Sequence, residues 1–330
     1  TMFSNFGQTK VYLIDKAERI LPFEDQDVAD LVATNLEENG VVIHRGAKLV
    51  RMDHLGEEVE YEIENRDGTK EVIRAEKAML SIGRVPNIEE LKLESANVQM
   101  SKRGVHIGDE DTRTNVPNIY AVGDVSGHLA LVNVGEREAR HAVVKMFADF
   151  PVKPIHYENI STIMFLSPEV AAVGLNEQKA AELGIPIRVS KVDYSTIARA
   201  IAMRKTNGFF KIIVSDDEEM RILGMRAIGE HASSAIQSVS LLMYMNKGID
   251  ELAHMIHPHP SIVEGVQECV RMLLGKSVYK SSIFKDKLKC YRRTVEGEKL
   301  PLNVLRAKEQ DADRHDDMQK IVQITKSNIR

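Results

Sequence analysis

Two cysteines in 330 residues are too few for a disulfide scaffold, and Cys269 and Cys290 do not stand in a C-x-x-C motif. No apolar run approaches the roughly 18 residues that a membrane-spanning helix requires. The opening TMFSNFGQTK has no charged start leading into an apolar stretch, so no signal peptide is expected. Charge of one sign is also scarce: the formal net charge is −5 and the isoelectric point about 6.1, which excludes a chain that binds nucleic acid by bulk electrostatics. These absences point to a reducing, cytoplasmic setting with neither membrane nor nucleic acid as partner. One further absence matters later. The phosphate-binding fingerprint G-x-G-x-x-G occurs nowhere in the chain.

What is present is ordinary globular material, 43% hydrophobic and 28% charged, long enough for two or more domains. The charge is uneven. Residues 276–330 hold 14 Lys and Arg against eight Asp and Glu, a basic extension on an otherwise acidic chain. TMFSNFGQT reads as the end of a helix stopped by Gly7, and KVYLID (10–15) as a buried parallel strand ending in an acid. DQDVADLVATNLEENG is amphipathic, with Val28, Leu31, Val32 and Leu36 on one face, and VVIHRGAKLV returns as a strand. The unit is βαβ. Asp15, at the first strand's end, is either a ribose-binding acid of a dinucleotide domain or a plain strand-terminal acid.

Two later segments have related form. EKAMLSIGRVPN (76–87) reads as an apolar strand breaking at Gly83, before Arg84 and Pro86. TNVPNIYAVGDVSG (114–127) reads as another, breaking at Gly123 before Asp124. A glycine there lets a ligand approach the backbone, and the acid can meet a sugar or ribityl hydroxyl; an ordinary strand–turn reads the same way. From about Pro154 the pattern changes. PIRVSKVDYS, GFFKIIVS and RILGMRAIGE read as an antiparallel meander, NEQKAAELG as a short helix from Asn176 to Gly184, and SSAIQSVSLLMYMNKG as a longer core-facing helix. HPHPSIVEG (257–265) then places His257 and His259 between prolines, with Glu264 five residues past His259. A proton-transferring pair, a structural loop and a metal site using His254, His257 and His259 are all open on spacing, though the spacing fits no standard zinc pattern.

SIGRVPN, TNVPNIYAVGD and HPHPSIVEG, in this order and spacing, resemble the flavin-dependent pyridine nucleotide–disulfide oxidoreductases over roughly residues 1–275, most closely the dihydrolipoamide dehydrogenase branch. The resemblance implies an α/β and α+β chain. It comprises a partial Rossmann-like NAD(P)-binding domain (1–86), a returning segment of an FAD-binding domain (87–153), an antiparallel-sheet-plus-helices interface domain for a homodimer (154–275) and the basic extension (276–330). It implies FAD and NAD as cofactors and a lipoyl-type or other small dithiol as substrate. Asp15 would meet the adenosine ribose and repel a 2′-phosphate, with Lys16 and Arg19 nearby. Gly83 and Arg84 would lie at the dinucleotide. Gly123 and Asp124 would contact the ribityl chain, and the amides of Leu131 and Val132 the flavin's pyrimidine edge. His259 and Glu264 would be the catalytic pair, with His257 beside them.

The chain departs from the pattern in lacking both glycine fingerprints and the redox cysteine pair, so the resemblance implies a C-terminal fragment, inactive by itself. Asn133 also stands where dihydrolipoamide dehydrogenases commonly carry histidine. A soluble FAD-dependent transhydrogenase and a non-catalytic dimerising remnant are the alternatives. The stretch 303–326 is expected to form a loosely attached helix or disorder.

Overall fold

The computed structural model describes residues 1–102, 104–105, 107, 111–277, 279 and 283–302. It divides into two compact units, one of 1–75 with 159 onward and one of 76–158. In the first, α1 (Met2–Asn5) stops before Gly7, whose φ of +69° favours glycine. β1 (Tyr12–Asp15) pairs in parallel with β2 (Val42–Arg45) across α2 (Gln26–Glu38), the expected βαβ unit. Val28 and Val32 of α2 are buried, with Leu31 and Leu36 packed against the same cluster. β3 (Lys48–His54), β4 (Val59–Glu64) and β5 (Lys70–Ala75) form an antiparallel three-stranded sheet; Tyr61, Ile63 and Ile73 pack on Tyr12 and Ile14 of β1.

The second unit is built around α3 (Val132–Phe147) and a small cluster of Val98, Val105, Ile107 and Ala121. Here the structure corrects two sequence expectations. Residues 76–87 form no strand, and Met79, Leu80, Ile82 and Val85 are exposed. Residues 114–122 contribute only isolated bridges, Ile107 to Thr114 and Arg113 to Tyr120. Apolar β-formers make a strand only where a neighbour satisfies their amides and carbonyls. No strand among the described residues pairs with 76–87.

The rest of the first unit is a seven-stranded sheet in the order β12-β11-β8-β9-β10-β7-β6. Its members are β6 (Thr162–Met164), β7 (Val170–Gly174), β8 (Ile187–Asp193), β9 (Phe209–Ser215), β10 (Ile222–Ile228), β11 (Leu288–Arg293) and β12 (Lys299–Pro301). All the pairings are antiparallel, and β8–β9–β10 is the meander read from the sequence. α4 (Glu177–Glu182) is capped as expected, with Asn176 accepting from the Lys179 amide at 2.7 Å and Gly184 at φ +66° beyond it. After α5 (Ala198–Ala202), α6 (Ala232–Tyr244) and α7 (Asp250–His254) comes α8 (Glu264–Leu273), which with α6 covers one sheet face. The hairpin β11–β12 lies in the basic extension and was not foreseen; it extends the sheet at β8. The stretch 303–326, expected as a loose helix or disorder, lies outside the described residues. Among the described residues no helix is long and apolar enough to cross a membrane.

Candidate functional site

The proline-flanked loop ends where α8 begins, and α8 begins with Glu264. Gly265 follows and sets how closely that helix can sit on the sheet: a Cβ there would lie 2.5 Å from Ile197 and 2.6 Å from Phe210. The first turn of α8 is thus seated against the sheet, and Glu264 is fixed with it. Its Oε2 accepts the Ser261 amide at 2.9 Å, and its Oε1 lies 2.7 Å from Nδ1 of His259. The Ser261 hydroxyl donates to the Pro258 carbonyl at 2.6 Å and closes the loop.

Burial works against charge on Glu264, but the Ser261 amide and the His259 ring prevail and hold its carboxyl below the usual range. An ionised carboxylate on Nδ1 requires the proton there, so in the neutral ring the lone pair is on Nε2. The His259 side chain is 73% exposed, so that lone pair faces outward. The pair can take a proton from an external group and stabilise the cation that results. His257 is different. It is buried, its Nδ1 lies 3.2 Å from the Met255 carbonyl, and burial pushes it below the ordinary imidazole range. A neutral, inward ring supports the loop and does not face solvent. The Nδ1 atoms of His254, His257 and His259 go to three separate acceptors, Asp250, Met255 and Glu264.

Asp15 ends β1, and its Oδ1 accepts the Ala17 amide at 2.9 Å. This local turn gives the acid a structural task whether or not a ribose is bound.

In the second unit Arg84 lies close to Asp124, and the start of α3 lies against Gly123. Gly123 has φ +75° and nothing within 4 Å of where a Cβ would stand, so its outer side is open to a ligand. It opens a 3-10 turn, Gly123–Ser126. Asp124 on that turn is exposed and sits 3.6 Å from Arg84, which pairs two of the predicted contacts. Gly83 has φ +134° and is likewise open. Leu131 is the N-cap of α3, and no side chain caps that end. The structure corrects the expected Leu131 contact: its amide already donates to the Leu129 carbonyl at 2.9 Å, and the Val134 and Gly135 amides donate to the Leu131 carbonyl at 3.1 and 3.0 Å, so the 91% exposed Val132 and its neighbour Asn133 are left to offer the first-turn amides to an anionic group. Gly135 brings that turn close to Gly123: a Cβ on Gly135 would stand 3.0 Å from the Gly123 Cα. A glycine cradle beside the Val132 and Asn133 amides fits the flexible polyol and the hydrogen-bond-accepting ring edge of a flavin.

Sequence reasoning missed two features. Asp25, Asp27 and Glu177 converge closely enough to hold a cation. The cation is the ammonium of buried Lys211, at 2.6, 2.7 and 3.1 Å from them. Burial opposes the Lys211 charge, yet Asp27, Glu177 and Asp25 hold it above the ordinary lysine range. Asp25 also accepts the Glu177 and Gln178 amides at the start of α4, so the entry to α2 is fastened to the seven-stranded sheet. The isolated Lys in GFFKIIVS was the only available signal, a charge inside an otherwise apolar strand. The second feature is Glu138, a fully buried carboxylate in α3. The cysteines are free thiols, Cys269 buried and Cys290 half-buried: burial raises Cys269 far above its usual value and pushes Cys290 up to about 12.

Comparison with known proteins shows the following relatives. A family model described as "Pyridine nucleotide-disulphide oxidoreductase" matches residues 1–139, and that family's dimerisation domain matches 160–270. A dihydrolipoyl dehydrogenase of Bacillus subtilis (strain 168) is 32% identical over 281 residues, covering 84% of this chain and 58% of the relative. The dihydrolipoyl dehydrogenase of Geobacillus stearothermophilus gives the same figures. Among solved structures, the HOCl-induced flavoprotein disulfide reductase RclA from Escherichia coli has a TM-score of 0.75 at 28% identity, covering 82% of this chain and 61% of that one. LpdA from Mycobacterium tuberculosis has a TM-score of 0.73 at 26% identity, covering 82% and 57%. The chain spans 58% of the length of the two curated relatives described.

Proposed function

The chain belongs to the pyridine nucleotide–disulphide oxidoreductase family, and from that premise we propose that it carries the NAD-facing, flavin-contacting and dimerising parts of a dihydrolipoamide dehydrogenase-type enzyme. FAD, when bound, would supply the redox centre between a dithiol–disulfide couple and NAD. Asp124 would bind the ribityl hydroxyls, with Gly123 leaving room for them, and the Val132 amide at the start of α3, rather than that of Leu131, would donate to the pyrimidine edge. Asp15 would accept from the adenosine ribose of NAD, and Gly83 and Arg84 would be contacts to the dinucleotide. The functional parts would run 1–86, 87–153 and 154–275, with 276–330 an addition.

His259 would take the proton of a substrate thiol on Nε2, leaving a thiolate to attack a disulfide, while Glu264 orients the ring and offsets its new charge. A lipoyl-type dithiol is the substrate this chemistry fits. The second subunit of a homodimer would hold the reacting sulfur opposite the ring. The exposed apolar side chains Leu241, Tyr244, Met245 and Ile256 support such an interface, as does the match to a dimerisation domain.

One observation carries the reading: an exposed imidazole whose inner nitrogen is committed to an ionised glutamate at 2.7 Å. The test is a chimera in which the part of the Bacillus subtilis relative without a counterpart here precedes this chain. A yellow protein that oxidises dihydrolipoamide with NAD is expected. His259→Ala should lower that turnover by about 10²- to 10⁴-fold and leave the flavin in place. Unchanged turnover removes His259 from the chemistry, and a colourless chimera removes the flavin reading.

A further inference from the structure

Glu138 takes no part in the chemistry above, yet its carboxylate is fully buried and collects three donors. Oε2 accepts the Gly123 amide at 2.6 Å. Oε1 accepts the Ser126 hydroxyl at 3.2 Å and the Tyr157 hydroxyl at 3.0 Å. Both ends of the Gly123–Ser126 turn are therefore tied to one side chain of α3. The turn could otherwise pivot, because Gly123 at φ +75° has no Cβ to restrain it. With its amide held inward, the next residue, Asp124, is left exposed. Gly135 closes the same joint from the helix side, against the Gly123 Cα.

We infer that Glu138 is a positioning residue that locks the Gly123–Ser126 turn onto the start of α3, so that the Asp124 carboxylate and the first α3 amides meet one flavin at fixed separation. This rests on the flavin reading of the second unit. Glu138 itself touches no ligand; it acts through Gly123 and Ser126. The Gly123 N–H can only donate, so what it requires of position 138 is an oxygen at the right reach. The hydroxyls of Ser126 and Tyr157 can turn and accept instead. Glutamine should therefore serve nearly as well as glutamate, with its oxygen on Gly123 and its amide on the hydroxyls. Leucine should not, because it leaves the Gly123 amide buried without a partner.

The test is FAD titration of the chimera by flavin fluorescence, with amide hydrogen exchange over 123–126 measured without flavin. Glu138→Leu should weaken FAD binding at least about tenfold, the order of one lost charge-assisted hydrogen bond, and speed exchange of the turn. Glu138→Gln should stay within about threefold of the unaltered chimera in both. Tyr157→Phe removes a bond to the same carboxylate without touching Gly123, and should lower thermal stability while leaving FAD affinity alone. Glu138→Leu binding FAD like the unaltered chimera overturns the inference, as does a loss of affinity that follows stability equally in the leucine and phenylalanine variants. An unaltered chimera that binds no FAD overturns the flavin reading, and the inference with it, whatever the exchange data show.

Discussion

The Nδ1 of His259 lies 2.7 Å from Oε1 of Glu264, and the other oxygen of that carboxylate is taken by the Ser261 amide. Both oxygens are thus assigned, and this decides what glutamine would do at 264. The Ser261 N–H accepts no bond, so the amide oxygen must face it and the amide nitrogen must face His259. The ring then takes the proton on Nε2 and loses its outward lone pair. Glu264→Gln should therefore keep the fold and cost about 10²-fold or more in dithiol turnover by the chimera, as a wrong tautomer does in triad enzymes. Two-bond ¹H–¹⁵N correlation of the His259 ring, which needs no activity, should show the proton moved from Nδ1 to Nε2. An unmoved proton would refute the assignment.

The ammonium of Lys211 is the positive centre of a buried cluster, and Lys211→Met would leave Asp25, Asp27 and Glu177 facing one another. Breaking a buried pair from one side costs roughly 3–5 kcal/mol, and urea unfolding should show a loss of that order. The cluster also sets an acid limb. Burial opposes the charge of Asp27, but Lys211 and Lys191 lower its carboxyl from 3.8 to about 2. A depressed carboxylate stabilises the fold above its unfolded value and loses that contribution as pH falls through the folded one. Stability should drop between about pH 4 and pH 2, and Asp27→Asn should flatten that part of the curve.

The two thiols should be silent. Cys269 donates toward the Phe210 carbonyl at 3.6 Å inside the core, and Cys290 is pushed up to about 12 by burial. Only thiolate reacts with disulfide reagents at appreciable rate. A dithionitrobenzoate assay at pH 8 should therefore count no thiol in the native chain and two in guanidinium. Rapid native labelling would show that the packing of α8 or β11 on the sheet is wrong.

The readable parts of this fold were those whose pattern is local. The βαβ unit, the meander and the capped α4 each carry their period or cap within a few residues, as Asn176 does for Lys179. The His259–Glu264 contact was also readable, because a five-residue loop leaves the side chains little choice. The 76–87 run was misread because Met79, Leu80 and Ile82 have the composition of a strand, while pairing depends on a neighbour that composition cannot reveal. The clusters around Lys211 and Glu138 were invisible for a related reason. Lys211 meets Asp25 across 186 positions, and such contacts exist only after the sheet has formed.

Gly265 offers the sharpest test of how packing reaches the site. It lies between Glu264 and the body of α8, where helix propensity alone would favour alanine by about 1 kcal/mol. The structure predicts the reverse. A Cβ would stand 2.5 Å from Ile197 Cδ1 and 2.6 Å from Phe210 Cδ2, both in the core beneath the helix. Phe210 is fully buried and packs on Tyr194, with ring centroids 4.9 Å apart, so it has no room to withdraw. The helix must lift instead, at a cost of about 1–3 kcal/mol. Glu264 would move with it, loosening its hold on both Ser261 and His259. Gly265→Ala should thus lower the melting temperature and reduce dithiol turnover by the chimera with its flavin content unchanged. A variant as stable and as active as the parent would mean that α8 does not rest on Phe210 as described.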